Sequence, residues 1–237
     1  YAFMLAIAGV IGYIYLGRAE AARSGVKVKA QDPITFREAF QIPAYRIALA
    51  LSFIIGWAFF GMRSSILPLF VTESLKSTAA VVGIGFAIGA LVQGLFLFKS
   101  GKASDLKGRK YVILLGGSIF MAGIIGLTLS FNIWMFLFSM AILGVGGAYL
   151  STAPGAIIGD VIKGKGGRVI GVFQMAGDAG MIVGPIVVGA ISDLYSFRVA
   201  FAATAVIFSL VLILGVRLPE TRKMAGSHEP TISLNDN

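Results

Sequence analysis

Six stretches of this chain, 46–71, 79–98, 111–130, 133–157, 169–192 and 198–216, stay apolar for about the 20 residues a helix needs to cross the ~30 Å hydrocarbon core of a bilayer. A seventh, 1–16, is apolar from its first residue. The stretches are uniformly apolar and lack the period-two alternation of a membrane barrel strand, so they predict helices, whose backbone groups are all satisfied internally. With 57% hydrophobic and 13% charged residues, the composition agrees with a polytopic all-α membrane protein and excludes an ordinary soluble domain.

All but one of the 20 basic residues lie in or at the ends of the connections. The segment 17–46 holds Arg18, Arg23, Lys27, Lys29, Arg37 and Arg46, and 99–110 holds Lys99, Lys102, Lys107, Arg109 and Lys110. Lys163, Lys165 and Arg168 follow in 158–168, then Arg217, Arg222 and Lys223 in the tail. The alternate connections carry only Lys76 and Arg198. By the positive-inside rule, the first set and the C-terminus are expected in the cytoplasm. A net charge of +9 spread in this way is a topology signal; nucleic acid is not an expected partner, since the basic residues gather on no soluble face.

Several chemistries are disfavoured at once. There is no Cys, and the one His, His228, lies in the polar tail, so neither thiolate metal sites nor His-dependent intramembrane catalysis is expected. The glycine-rich stretch Gly159–Arg168 lacks the spacing of a phosphate-binding P-loop. No enzyme activity, metal or cofactor is predicted.

The chain opens at Tyr1 without an initiator Met, and 1–16 has neither a basic leading region nor a small-residue cleavage site before Arg18. It is expected to be the end of a truncated membrane helix. Residues 17–45, broken by Pro33 and Pro43, read as a linker with a short surface helix over Thr35–Phe40. Residues 46–216 form a six-helix bundle, and 217–237 a polar tail.

Ionisable groups inside the apolar runs are the candidates for function, because they are costly in hydrocarbon and normally face a water-filled path. Asp178 follows Arg168 by ten positions, about 15 Å along a helix and so near the bilayer midplane. A carboxylate there is expected to exchange a coupling proton, with Gln174 one turn away on the same face. Arg63 is the one basic residue inside an apolar run, about 25 Å beyond Arg46. It can bind an anionic group or snorkel to the outer interface. Gly177, Gly180 and Gly184 share a helix face, where small residues allow close packing, and Pro185 can bend the helix. Gln93, Tyr149, Ser151 and Thr152 are polar groups suited to bonding between helices, and Trp57 and the Phe residues suit an apolar cavity wall or core.

The hydrophilic decapeptide Gly101-Lys102-Ala103-Ser104-Asp105-Leu106-Lys107-Gly108-Arg109-Lys110 resembles the signature turn of major facilitator transporters, with Leu106 in place of its first basic residue. The stretch Gly180–Pro185 is similar to that family's Gly-x3-Gly-Pro motif, here in the penultimate helix, and Arg217–Thr221 resembles its usual exit from the last helix. The resemblance implies the C-terminal half of a twelve-helix fold: the end of helix six, a cytoplasmic linker, and a six-helix bundle. It also implies a missing N-terminal half as partner. The expected function is secondary transport of a small molecule by alternating access in a prokaryotic cytoplasmic membrane, with proton-coupled export of amphipathic compounds as the first reading. Uptake of a small anionic metabolite, or a non-transporting receptor or scaffold, are the alternatives. Within the turn, Gly101 and Gly108 are expected to allow tight chain reversal and Asp105 to face a helix N-terminus. Arg109 and Lys110 complete a cytoplasmic gate.

Overall fold

A computed structural model describes residues 35–162 and 166–220. The expected membrane segment 1–16, residues 17–34 of the linker, Lys163 and Lys165, and the tail beyond Glu220 with His228 lie outside the described residues. Described first is a short helix, α1 (Phe36–Gln41), started by a reciprocal cap. The Thr35 N–H donates to Glu38 Oε2 at 3.0 Å, and the Glu38 N–H donates to Thr35 Oγ1 at 3.4 Å. Hydrogen bonding from the Thr35 backbone, and secondarily its side chain, holds the Glu38 carboxyl below its usual range.

Six helices long and apolar enough to span a bilayer follow: α2 (Pro43–Ser74), α3 (Ala79–Lys107), α4 (Arg109–Thr128), α5 (Ile133–Val161), α6 (Gly167–Leu194) and α7 (Phe197–Arg217). Pro43 opens α2 where a missing N–H costs nothing. Asn132 and Ser196 cap α5 and α7 by accepting from the N–H groups of Met135 and Val199. Most helices outrun their apolar stretches, because helix hydrogen bonding continues into the polar interface after hydropathy falls. The largest difference is in α3, which continues beyond Phe98 to Lys107. The decapeptide is therefore mostly helix, and the chain reverses at Gly108 alone, with φ of 95°. Gly101 is a mid-helix residue, not a turn glycine; a side chain there would meet open space.

The α2 helix is not uniform. It winds as a wide π-type coil over Trp57–Ile66 and again over Phe70–Ser74, either side of Pro68. The Leu75 N–H, for example, donates five residues back to the Phe70 carbonyl at 3.1 Å. Proline has no N–H to give to the preceding turn, and interruptions of this sort recur at functional positions in helices.

Close backbone approach sets the packing. Helices α2 and α6 run in the same direction along a glycine seam: Gly56 meets Gly177, Phe53 and Trp57 meet Gly180, and Gly61 meets Gly184. A methyl group at Gly61 would stand 2.7 Å from the Gly184 carbonyl carbon. At the same end as α1, the buried Tyr45 hydroxyl donates to the Val169 carbonyl at 2.9 Å. Further along, Ser52 Oγ donates to the Phe173 carbonyl at 3.4 Å. Pro185 leaves α6 continuous through Leu194. Helices α3 and α5 pair similarly, with Gly144 against Gly89 and Ser100 Oγ donating to the Ala148 carbonyl at 2.8 Å. Gly116, Gly123 and Gly126 of α4 receive Tyr149, Leu143 and Ser139 of α5. Phe59 stacks on Phe120, which meets Phe208 at a tilt, with ring centroids 5.1 and 4.9 Å apart.

Because the α2–α6 seam has no room for a side chain, Gly184→Leu is expected to destabilise the bundle by about 1–3 kcal/mol or more, the usual scale of overpacking. Thermal unfolding of the purified protein in detergent checks this. A melting temperature equal to that of the parent would contradict the seam.

Candidate functional site

Above the seam, α2, α5 and α6 enclose an open cavity of about 440 Å³. Its apolar wall includes Ile55, Phe59, Phe60, Leu150, Phe173 and Met181. Its polar groups are Ser52, Ser151, Gln174 and Asp178. The seam determines this arrangement. With Gly177 and Gly180 turned into α2, Asp178, about 100° around the helix from Gly177 and further from Gly180, projects from the open side, and Gln174 lies one turn below it. Asp178 is exposed and makes no hydrogen bond or ion pair with another described residue. Such a cavity accommodates an apolar body while offering one carboxylate and one amide to a polar or cationic group.

Arg63 is not among the residues lining this cavity. It is half-buried and turned toward α3, with its guanidinium carbon 5.3 Å from the centroid of the Phe86 ring. Gly89 supplies the space for it; a methyl group there would lie 3.3 Å from an Arg63 terminal nitrogen. No carboxylate pairs with Arg63 among the described residues, and Asp178 is not brought to it. Gln93 approaches Gly147 between α3 and α5. Thr152 shares a 2.8 Å hydrogen bond with Ser100, while Ser151 and Pro154 line the cavity. Trp57 is 6% exposed in the α2–α6 seam, so it is core. Trp134 is 80% exposed at the start of α5, the position of an interfacial ring.

A second constellation lies at the end of the bundle that carries α1. Arg109, the first residue of α4, gathers three elements. Its Nε donates to Asp160 Oδ2 of α5 at 3.1 Å, and its terminal NH1 donates to Asp105 Oδ1 at 2.8 Å and to Ser104 Oγ at 2.7 Å, both on α3. The Arg109 backbone N–H donates to Glu220 Oε1 at 3.0 Å, beyond the end of α7. Lys110 Nζ donates to the Val216 carbonyl at 2.6 Å, in the last turn of α7, where a cation complements the helix dipole.

The carboxylate at the α4 N-terminus is thus Glu220, and the expectation that Asp105 faces a helix N-terminus is corrected. Asp105 belongs to the last turn of α3, four residues before Arg109, and reaches the guanidinium from there. Gly108 is required for two reasons: its φ of 95° is a glycine conformation, and a side chain would overlap the Glu220 carboxylate. Asp160, Glu220 and Ser104 carry no role in the sequence reading. The signal available was sparse charge: Asp160 is the one acidic residue of α5, and it ends that helix on the side where α4 begins with two cations.

The two carboxylates facing Arg109 differ in worth. The Asp160 side chain is 13% exposed and that of Asp105 is 74% exposed, so water screens the second pair far more. Asp160→Asn is expected to cost about 1–3 kcal/mol, the scale of a charged hydrogen bond left half-satisfied. Asp105→Asn is expected to cost less than about 1 kcal/mol. Thermal unfolding of the two variants under identical conditions checks the order, which the reverse ranking would overturn.

The sequence model of the Major Facilitator Superfamily matches residues 49–233. Among curated proteins, the chain is 33% identical over 161 residues to the Multidrug resistance protein MdtG of Proteus mirabilis (strain HI4320), covering 65% of this chain and 39% of that protein. It is 31% identical over 196 residues to the protein of the same name from Rahnella sp. (strain Y9602), covering 78% and 44%. The chain therefore spans roughly two fifths of the length of these relatives. Among solved structures, the peptide transporter POT in complex with sulfate matches with a TM-score of 0.65 at 24% identity, covering 76% of this chain and 38% of that one. A complex of a POT variant with alafosfalin matches with a TM-score of 0.66, covering 78% and 40%. Those two likenesses carry the fold. With the superfamily match extending over α2 to the tail, this chain belongs to the Major Facilitator Superfamily, a family of membrane transporters and not of enzymes.

Proposed function

We propose that this chain forms one bundle of a secondary transporter that exports amphipathic small molecules in exchange for protons, by alternating access with a second six-helix bundle. The observation that carries the proposal is Asp178 standing with Gln174 on the wall of an otherwise apolar cavity, free of any described partner. An intramembrane carboxylate in that setting binds a proton and a cationic substrate group in competition, because both satisfy the same charge. The names of the MdtG relatives support drug-like cargo.

The Arg109 cluster supports a gate at the cytoplasmic end, the orientation favoured by the distribution of Lys and Arg. Asp105, exposed on α3 beside Gly101, Lys102 and Leu106, presents this cluster to whatever closes against that face. The second bundle would make and break that contact as it rocks, which biases inward-open against outward-open states. A second reading, transport of an anion, is favoured by Arg63, whose guanidinium rests on an aromatic ring and meets no described carboxylate.

Flux of ethidium in proteoliposomes of the full-length protein under an imposed pH gradient tests the proposal. Asp178→Asn is expected to slow the gradient-driven component roughly tenfold or more, a loss of at least about 1.4 kcal/mol at the limiting step. Unchanged gradient-driven flux in that variant would remove the coupling role. If Arg63→Gln instead abolished flux of an anionic dye that the parent carries, the anion reading would replace the first.

A further inference from the structure

We propose that α1 and the adjoining ends of α2 and α6 form a docking face for anionic phospholipid headgroups. Phe36 and Phe40 lie four residues apart on one face of α1, with ring centroids 5.8 Å apart, and are 36% and 48% exposed. Ala39, between them in sequence, is fully buried and holds the neighbouring face of α1 against the bundle. A helix of six residues does not hold itself together in water. This one is held by its Thr35–Glu38 cap and by Ala39, so the two rings stand in a set direction. The next helix, α2, begins at Pro43, which puts Phe40 within about one helical turn, and Phe36 within about two, of the start of a membrane span.

Charge completes the face. Arg37, Arg46 and Arg168 are all exposed, and none of them pairs with a carboxylate among the described residues. The hydrogen bond from Tyr45 to Val169 brings α2 and α6 together at this end, and Arg46 and Arg168 each adjoin a residue of that bond. The one acidic residue of α1, Glu38, directs its carboxylate to the Thr35 N–H. Two exposed aromatic rings just before a membrane span, and at the same end of the bundle three guanidinium groups that meet no carboxylate among the described residues, match a layer of phosphates lying over acyl chains. Net-neutral lipid offers the rings the same apolar layer without the charge complement, so α1 sits deeper over anionic lipid and the face distinguishes lipids by charge.

The test places a nitroxide label at Gln41→Cys, exposed at the end of α1, in full-length protein whose other cysteines are replaced; this sequence has none. Nanodiscs of phosphatidylcholine alone are compared with nanodiscs that also contain phosphatidylglycerol. Depth is read as the ratio of accessibility to oxygen over accessibility to a water-soluble nickel chelate. That ratio should rise with phosphatidylglycerol and fall back in high salt. Each arginine near an anionic surface contributes roughly fivefold to partitioning, so Arg37→Gln, Arg46→Gln and Arg168→Gln together should remove the rise, and Arg37→Gln alone should reduce it. Equal ratios in both lipids, or a rise that persists in the triple variant, would overturn the proposal. A label shielded from both relaxants in both lipids would overturn it in favour of a protein contact over α1.

Discussion

Helices in hydrocarbon gain nothing by hiding apolar surface from one another, so what holds this bundle is how closely backbones approach. The glycines of α2 and α6 form the tightest instance, with Gly61 against Gly184 and Gly56 against Gly177. That contact does more than bind two helices. By committing one face of α6 to α2, it leaves Asp178 and Gln174 no direction but the open side, where they meet the phenylalanines of the cavity wall. The position of the candidate chemistry is a by-product of packing two positions away. The same logic operates between α3 and α5, where Gly89 makes room at once for Gly144 and for the guanidinium of Arg63.

Electrostatics organises only the end of the bundle, where water and charge are available. There Arg109 works as a hub with graded partners: a well-shielded one in Asp160, a rim one in Asp105, and a carboxylate at the helix terminus in Glu220. The gradation follows depth. A guanidinium offers five donors in a fixed plane, so the Arg109 side chain bridges α3 and α5 where a lysine would hold fewer, while its backbone N–H takes the segment after α7.

Much of this is written in the sequence. Uniform apolar length located the six spans, since backbone satisfaction in lipid leaves helix as the available conformation. The spacing of Gly177, Gly180 and Gly184 showed a packing face, and the pairing of Gln174 with Asp178 follows from the helical repeat. Helix ends were less legible, because Gly101 to Lys107 is polar yet continues α3; hydropathy reports solvent, not hydrogen bonding. The role of Asp105 was misplaced for a related reason: which carboxylate reaches the α4 N-terminus depends on where α7 ends in space, and Glu220 is 111 positions away. The wide winding of α2 around Pro68 and the turn of Arg63 toward Phe86 depend on neighbours with no local signal.

The chain order of the partners of Arg109 has a consequence for biogenesis. Asp105 precedes Arg109 by four residues, Asp160 follows by 51, and Glu220 by 111. As the polypeptide leaves the ribosome and enters the bilayer, Arg109 is therefore met first by a neighbour on the preceding helix, then by the end of α5, and last by the residue that follows α7. The hub closes only when the final span is in place. A chain stalled or cut before Glu220 would present a helix start without its carboxylate, a local mark by which an incomplete bundle differs from a finished one.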